Sequence, residues 1–291
     1  MLSLLLVFAA QTVAAPPAAT PSDAAARPLR VVLLGGTFVE RAQEFGEWET
    51  AARIASVRPL RVRNLAWSGD TVWAESRGRF DPADVAYQRL IDEVDAVRPD
   101  VIVFGYGTAE VLAGRSVAEF REQLTGLVDD LPDAVPVFLG TNRTALEALP
   151  EPARDELRER FDAFDSAIAE TAKARRAAFV AIPPAASDDR VQPNASGYRT
   201  LAAAIGPAIA AASGPTRSDP ATPDRREKVR EAIVRKSRLV FHRHRPQNTT
   251  YLLLFRKHEQ GQNAGEIEAF EQPIAEAETA IDALIAESRG G

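Results

Sequence analysis

A hydroxyl side chain follows the first apolar run of the chain, at a position where reactive groups are common. The stretch RVVLLGGTFVER, residues 30–41, is typical of a buried strand that ends at two glycines and presents Thr37 before a helix. Such a turn can hold a nucleophile or a phosphate at the mouth of a sheet. It also suits an ordinary strand-to-helix turn, in which glycine supplies unusual dihedral angles and threonine caps the helix.

Three further polar stretches carry residue types that could take part in chemistry. NLAWSGDTV begins at Asn64 and FGYGTAEVLAG begins at Phe104, and each follows an apolar run. DDRVQPNASGY begins at Asp188 and precedes a helix-compatible segment. The candidate residues within them are Gly69, Asp70, Ala109, Glu110, Asp189 and Gln192.

The elements between these stretches alternate in type, which fixes where the polar residues must lie. Short apolar runs predict buried strands at residues 29–34, 60–65, 101–104, 135–139 and 178–182. Apolar residues at three- and four-residue spacing predict helices at residues 40–55, 87–97, 117–131, 152–176 and 196–211. This alternation predicts a three-layer α/β/α sandwich of the flavodoxin-like kind, with about five parallel strands. Ligands of such folds bind beyond the carboxyl ends of the strands, so the four polar stretches are expected on one rim.

The four stretches, in this order and at this spacing, resemble the Ser-Gly-Asn-His hydrolase family, also called GDSL esterases and lipases. The resemblance covers residues 29–212. NLAWSGDTV, together with RPQNTTYLLLFRKHEQGQNA from Arg245, is similar to an exported branch of that family in which a helical C-terminal arm follows the hydrolase-like domain.

The resemblance implies a catalytic set, and this chain departs from most of it. In the family a serine attacks an ester carbonyl, backbone and asparagine donors stabilise the oxyanion, and a histidine held by an aspartate takes the proton. The serine position falls on Thr37, the glycine on Gly69, the asparagine on Ala109, the histidine on Gln192 and the aspartate on Asp189. Only the glycine and the aspartate keep the family's residue type.

These departures predict a hydrolase-like protein whose activity is lost or strongly impaired. A neutral amide at Gln192 takes no proton from a hydroxyl near pH 7, and Ala109 has no donor for an oxyanion. The three histidines of the chain all lie in the arm, at His242, His244 and His258. A ligand cleft for a small-molecule or carbohydrate ester is predicted to remain, bordered by Gly36, Trp67, Asp70 and Glu110.

Two other functions stay open from the sequence. An active esterase would use Thr37 as nucleophile and take a base from Asp189, Glu110 or an arm histidine, since burial can raise the pKa of a carboxylate. A binding or assembly module would act through the rim and the arm. Three tryptophans near the rim would then stack on sugars, although such residues more commonly fill cores; they are Trp48, Trp67 and Trp73.

Composition limits the classes of partner. The formal net charge of -6 argues against a general nucleic-acid surface, and the basic run at residues 225–245 is typical of the solvated face of an arm helix. The chain has no cysteine, which excludes disulfides and thiolate metal sites. Nothing in the sequence indicates a metal or organic cofactor.

Composition also divides the chain. Residues 1–15 are typical of a signal peptide, which predicts export to the periplasm or the outside. The apolar run is shorter than the ~20 residues of a membrane span, so no span is expected once the leader is removed. Residues 16–28 form a Pro- and Ala-rich linker, 29–213 the hydrolase-like domain, 214–223 a second linker and 224–291 the basic and helical arm, which packs on the domain or mediates assembly.

Overall fold

A computed structural model describes residues 27–78, 81–218 and 222–287. Within these residues, one sheet of parallel strands forms the centre. Strands β1 to β5 are Leu29–Gly35, Leu60–Asn64, Val101–Gly105, Val135–Leu139 and Ala178–Val180. They lie in the order β2-β1-β3-β4-β5. The central strands are covered on both faces, which is why their sequences are continuous apolar runs.

Helices pack on both faces of the sheet. The α-helices α1 to α12 are, in chain order, Thr37–Phe45, Glu47–Ala55, Ala83–Val97, Thr108–Leu112, Val117–Asp130, Ala153–Ala174, Ala195–Ala212, Pro223–His244, Thr249–Leu252, Lys257–Gln260, Gly265–Ala269 and Glu271–Glu287. Helices α1, α2 and α7 cover one face around the buried Trp48 and Tyr198. Helices α3, α5 and α6 cover the other face around Phe120 and Phe164. The predicted α/β/α sandwich is confirmed.

The predicted helix over residues 40–55 is wrong in one respect, because it is two helices. Gly46 lies between α1 and α2 with φ of 68°, a left-handed conformation that favours glycine. Its N–H donates to the carbonyl of Ala42 and closes α1. A Cβ at Gly46 would lie 3.2 Å from the carbonyl oxygen of Arg230, so the glycine also allows α8 to approach closely.

The arm packs against the edge of the sheet at β2. Helix α8 contacts α1, α2 and β2, and α12 lies along α8. Buried charges join these elements: Lys236 and Glu278 are each only 1% exposed. Lys236 Nζ lies 2.7 Å from a Glu49 oxygen, and Glu278 accepts hydrogen bonds from Arg53 and, at 3.0 Å, from Arg63. Each charge in this network therefore depends on its partners for stabilisation.

The first part of the second predicted linker also contacts the domain. Thr216 forms an antiparallel bridge with Ser56, and the Val57 N–H donates a 3.1 Å hydrogen bond to the Pro215 carbonyl. The predicted signal peptide and residues 16–26 lie outside the described residues. None of the helices in the described ranges is long and apolar enough to cross a bilayer.

Candidate functional site

A cavity of about 200 Å³ lies at the carboxyl ends of β1 and β3. Its walls come from the turns after β1, β2 and β3 and from the turn before α7. Seven of the nine residues that the sequence places at the site line it: Gly36, Thr37, Gly69, Asp70, Ala109, Glu110 and Gln192. Asp189 and Trp67 are not among the lining residues. The fold therefore brings together most of the predicted rim.

Thr37 is the first residue of α1, and the glycines before it shape the turn into the cavity. Gly35 has φ of 150°, and a Cβ on it would lie 2.4 Å from the carbonyl oxygen of Gly105. The partly buried Thr37 side chain accepts a 2.9 Å hydrogen bond at Oγ1 from the Gly69 N–H. The amide that the resemblance assigns to the oxyanion therefore binds the Thr37 hydroxyl itself.

Gln192 is held in the cavity wall by a short turn. Asp189 Oδ1 accepts 2.8 Å hydrogen bonds from the backbone N–H groups of Gln192 and Val191. These bonds hold the pKa of Asp189 at about 2. The side-chain oxygen of Gln192 accepts a 3.3 Å hydrogen bond from Asn142 Nδ2. Asp189 is thus an ionised carboxylate that holds the turn in place. The side chain that this turn presents to the cavity is the amide of Gln192.

Glu110 is the cavity carboxylate with the most perturbed ionisation. Its side chain is fully buried, and burial raises its pKa to about 7. Oε1 accepts a 2.9 Å hydrogen bond from the Val72 N–H, and Oε2 accepts a 2.8 Å hydrogen bond from the Gly107 N–H. Because both oxygens bind backbone donors, Glu110 ties the loop after β2 to the start of α4.

Asp70 is the second buried carboxylate at the cavity, and it is paired with a cation. Arg77 Nε donates a 2.7 Å hydrogen bond to Asp70 Oδ2. Burial nevertheless raises the Asp70 pKa above its usual value. Tyr106 also lines the cavity, and its buried hydroxyl has no hydrogen-bond partner among the residues the structure describes.

The histidines of the arm lie away from the cavity. His242 is exposed at the end of α8, and the side chain of His258 in α10 is 73% exposed. His244 lines a separate groove beside β2. None of the three is among the residues that line the Thr37 cavity. Ala109 supplies only a methyl group there, so the cavity has neither an imidazole nor an asparagine donor at these positions.

The three tryptophans have protein partners. Trp48 is 1% exposed and packs edge-on against Phe38, with ring centroids 5.1 Å apart. The guanidinium of Arg245 lies 4.0 Å from the Trp67 ring centroid, and that of Arg115 lies 5.2 Å from the Trp73 centroid. These contacts favour packing roles over stacking on sugars.

Two residues that support the site were not among its predicted residues. Asn142 follows β4, where its backbone N–H donates to Thr108 Oγ1 at 2.9 Å while its side chain binds Gln192. Arg245 comes from the arm and donates to the Ala66 carbonyl and, at 3.3 Å, to Glu40. The position of Asn142, three residues after the end of a predicted strand, was a usable signal. Arg245 gave none, because its partners are about 180 residues or more away in sequence.

Several solved esterase structures are similar to part of this chain. The lipase/acylhydrolase from Enterococcus faecalis is 18% identical over 63% of this chain and 96% of its own, with a TM-score of 0.49. A catalytic mutant of Axe2, an acetylxylan esterase from Geobacillus stearothermophilus, is 17% identical over 63% and 96%, with a TM-score of 0.49. Est24, a carbohydrate acetylesterase from Sinorhizobium meliloti, is 14% identical over 63% and 99%, with a TM-score of 0.49.

The sequence itself assigns the family. No curated protein sequence matches the chain. The family model of the GDSL-like lipases and acylhydrolases matches residues 33–200, which is more than half of the 291 residues and spans β1 to α7. The matched range includes the four rim stretches that carry the resemblance. The chain therefore belongs to the GDSL-like lipase/acylhydrolase family.

Proposed function

We propose that this chain keeps the ligand cleft of its family but hydrolyses esters very slowly or not at all. The observation that carries the proposal is Gln192, whose amide occupies the position that the resemblance assigns to the general base. None of the three histidines lines the cavity. An amide does not accept a proton from a hydroxyl near neutral pH, so Thr37 has no base of the usual kind.

The other two changes act in the same direction. A missing oxyanion donor, as at Ala109, lowers the rate about 10²–10³-fold in other hydrolases. Thr37 keeps a hydroxyl, but its branched Cβ restricts rotation and crowds an approaching acyl group. The Thr37 hydroxyl also accepts the hydrogen bond of the Gly69 N–H, so a substrate carbonyl oxygen would have to displace the hydroxyl from this donor.

The retained cleft is proposed to bind an acyl or acetyl ester of a small molecule or carbohydrate. Gly36, Asp70 and Glu110 would form its walls, with Thr37 and Gly69 at the end that meets the ester carbonyl. Trp67 would support the cleft wall from behind without contacting the ligand, because Arg245 covers its ring. Support for this comes from the cavity of about 200 Å³, which is large enough for a short acyl group.

An active esterase is the second candidate, and one observation favours it. The pKa of Glu110 is raised to about 7, which is where a general base works best. Against it, both Glu110 oxygens accept backbone hydrogen bonds, which stabilise the carboxylate and make it a weaker base.

The experiment measures hydrolysis of p-nitrophenyl acetate and p-nitrophenyl butyrate by the purified chain and by its Thr37→Ala variant. We expect the two proteins to hydrolyse both esters at the same rate, with no burst of p-nitrophenol. Thr200→Ala, which removes an exposed threonine hydroxyl from α7, is the control. Turnover that disappears only in Thr37→Ala would overturn the proposal and establish the esterase. A rate that then rises with an apparent pKa near 7 and flattens in Glu110→Gln would identify Glu110 as its base.

Export and assembly complete the proposal. Residues 1–15 support export to the periplasm or the outside, as their sequence predicts. The contacts of α8 and α12 with the domain support an arm that stabilises the edge of the sheet. Gel filtration tests the alternative assembly role, since a dimer that requires the arm helices would favour it.

A further inference from the structure

A second cavity, of about 580 Å³, lies beside β2 and shares no lining residue with the Thr37 cavity. It is a groove between α3 on one side and the junction of α8 and α12 on the other. Five guanidinium groups line it, from Arg30, Arg61, Arg63, Arg89 and Arg243. Three carboxylates also line it, from Asp92, Glu93 and Glu271. The lining residues therefore carry an excess of two positive charges.

The sheet itself places part of this charge. Arg61 and Arg63 alternate with the buried Leu60 and Val62 along β2, so both arginines lie on the face opposite the α2 core. Arg30 pairs in register with Arg61 across the β1-β2 ladder. Because β2 is an edge strand, the groove opens beside the edge of the sheet, and the three guanidinium groups form its floor.

Four of the five arginines have close carboxylate partners. Arg61 binds Asp282 at 2.6 Å and Arg63 binds Glu278 at 3.0 Å. Arg89 binds Asp81 at 2.5 Å, and Arg243 pairs with Glu271.

Arg30 differs from the other four. Its paired carboxylate oxygen, on Asp100, lies 4.0 Å from Nε, farther than the partner oxygens of the other four arginines. That oxygen already accepts 2.8 Å hydrogen bonds from Arg27 and from the Arg30 backbone N–H. Of the groove carboxylates, Glu93 binds Arg77 at 3.1 Å, while Asp92 accepts a 2.9 Å hydrogen bond from a neighbour on α3. The groove thus contains one guanidinium, that of Arg30, without a close carboxylate partner among the described residues.

The lowered pKa of His244 indicates that the electrostatic potential in the groove is positive. Burial lowers its pKa to about 3, and the positive charges of nearby arginines, first among them Arg243 and Arg63, lower it further. The imidazole is therefore neutral at neutral pH and can donate one hydrogen bond to an anion. Ala96 and Val97 border the same groove with apolar surface.

We infer that this groove binds the phosphate or sulfate group of a small organic ligand, with Arg30 as the principal donor and the other arginines supplying positive potential. A tetrahedral oxyanion matches the paired donors of a guanidinium. The volume exceeds that of the anion alone, so the rest of the ligand would lie against Ala96 and Val97. The site is distinct from the ester cleft and does not depend on whether that cleft is active.

The experiment titrates the full chain with sodium pyrophosphate by calorimetry at constant ionic strength, because added salt would screen the interaction. The test variant is Ala96→Glu, which adds a carboxylate to the groove at an exposed helical position. Its control is Ala163→Glu, which makes the same charge change at an exposed position of α6. We expect affinity to fall at least tenfold in Ala96→Glu and to stay within twofold of wild type in Ala163→Glu.

A second pair of variants tests the donor. Arg30→Gln should weaken binding about tenfold, since it removes hydrogen bonds to a charged group. Arg158→Gln, which removes an exposed arginine from α6, should not weaken it. In proton NMR, pyrophosphate should shift the imidazole signal of His244 but not those of His242 and His258. Equal losses in test and control variants, or no saturable binding to the wild type, would overturn the inference. Sulfate and phosphate titrations then show which oxyanion binds more tightly.

Discussion

Three side-chain changes should raise the rate of ester hydrolysis in the Thr37 cavity. The variant combines Thr37→Ser, Ala109→Asn and Gln192→His, so that nucleophile, oxyanion donor and base return together. The turn that would carry the imidazole is already in place. Asp189 is ionised, with a pKa of about 2, and fixes the backbone at Gln192. An ionised carboxylate three residues before an imidazole can orient it and stabilise its protonated form.

The expected gain follows from what each group contributes. An oxyanion donor accounts for about 10²–10³ in rate and a positioned general base for about 10²–10⁴. Residues that act as a unit are strongly non-additive, so single changes should gain little. We expect the triple variant to exceed the wild-type kcat/KM for p-nitrophenyl acetate by about 10⁴-fold, the product of the two lower bounds.

Two features of the structure will limit the gain. The Gln192 side chain accepts a 3.3 Å hydrogen bond from Asn142, which the imidazole must replace or break. Arg41 Nη1 lies 3.6 Å from Asp189 Oδ2, the oxygen that an imidazole N–H would approach. Adding Arg41→Gln to the triple variant should therefore raise the rate further, because it frees that oxygen.

The assay follows p-nitrophenol release against pH, with circular dichroism and thermal melting to confirm folding. The control adds Asp189→Asn to the triple variant and should remove most of the gain, since the amide no longer stabilises a protonated imidazole. A folded triple variant no faster than the wild type would refute the reasoning that these three positions account for the proposed inactivity. A gain that survives Asp189→Asn would refute the role assigned to Asp189.

Three other expectations follow from groups that are buried or partly buried. Glu278→Gln should lower the free energy of unfolding by about 3–5 kcal/mol in chemical denaturation, because it leaves Lys236 buried with one partner fewer. The pKa of Glu110 in the folded protein is raised to about 7, so its contribution to stability is present below its unfolded pKa and is lost as pH rises through 7. Glu110→Gln should remove this loss, and the difference in stability between variant and wild type should therefore depend on pH. Arg245→Ala should speed amide hydrogen exchange at Gly69 about tenfold, because the loop loses an anchor from the arm.

Controls separate these effects from general damage. Glu276→Gln changes an exposed carboxylate of the same helix and should alter stability by less than about 0.5 kcal/mol. Arg256→Ala removes an arginine near α10 and should leave exchange at Gly69 unchanged. The lowered pKa of the partly buried His244 has the opposite effect, because it makes the protein less stable as pH falls. The Glu110 effect is therefore measured as a difference between two proteins. Equal effects in a test variant and its control, or parallel pH profiles for Glu110→Gln and wild type, would contradict the assigned roles.

The sequence predicted the parts of the fold that depend on local pattern. Each strand is a short apolar run with a clear start, and β4 was predicted to the residue at Val135–Leu139. The break at Gly46 was missed, because apolar spacing continues across it and the reason for the glycine lies in α8, more than 180 residues later. The last strand was predicted to end at Ile182, but it ends at Val180. Pro183 and Pro184 follow shortly after, and they lack the N–H that a ladder requires.

For the site, the sequence predicted which residues lie together but not which groups they bind. The strand pattern predicted that the polar stretches share one rim, since parallel strands bring their carboxyl ends together, and the resemblance picked out four positions in them that line one cavity: Thr37, Gly69, Ala109 and Gln192. The sequence could not assign hydrogen bonds between distant segments. Glu110 was a candidate base from its type, yet both oxygens bind backbone donors. Trp67 was a candidate ligand contact, yet an arm arginine lies over its ring.

The hydrogen bond between Thr37 and Gly69 links the retained cleft to its proposed inactivity. In a working oxyanion site the amide donor is free to meet developing negative charge, and its value comes from that readiness. Here the same N–H donates to the Thr37 hydroxyl. The bond holds the loop after β2 close to α1, and Glu110 ties that loop to α4 in a comparable way. The same contacts that would orient reacting groups beside a base maintain the cavity here without an imidazole, so the cleft can persist in the slow or inactive protein that we propose.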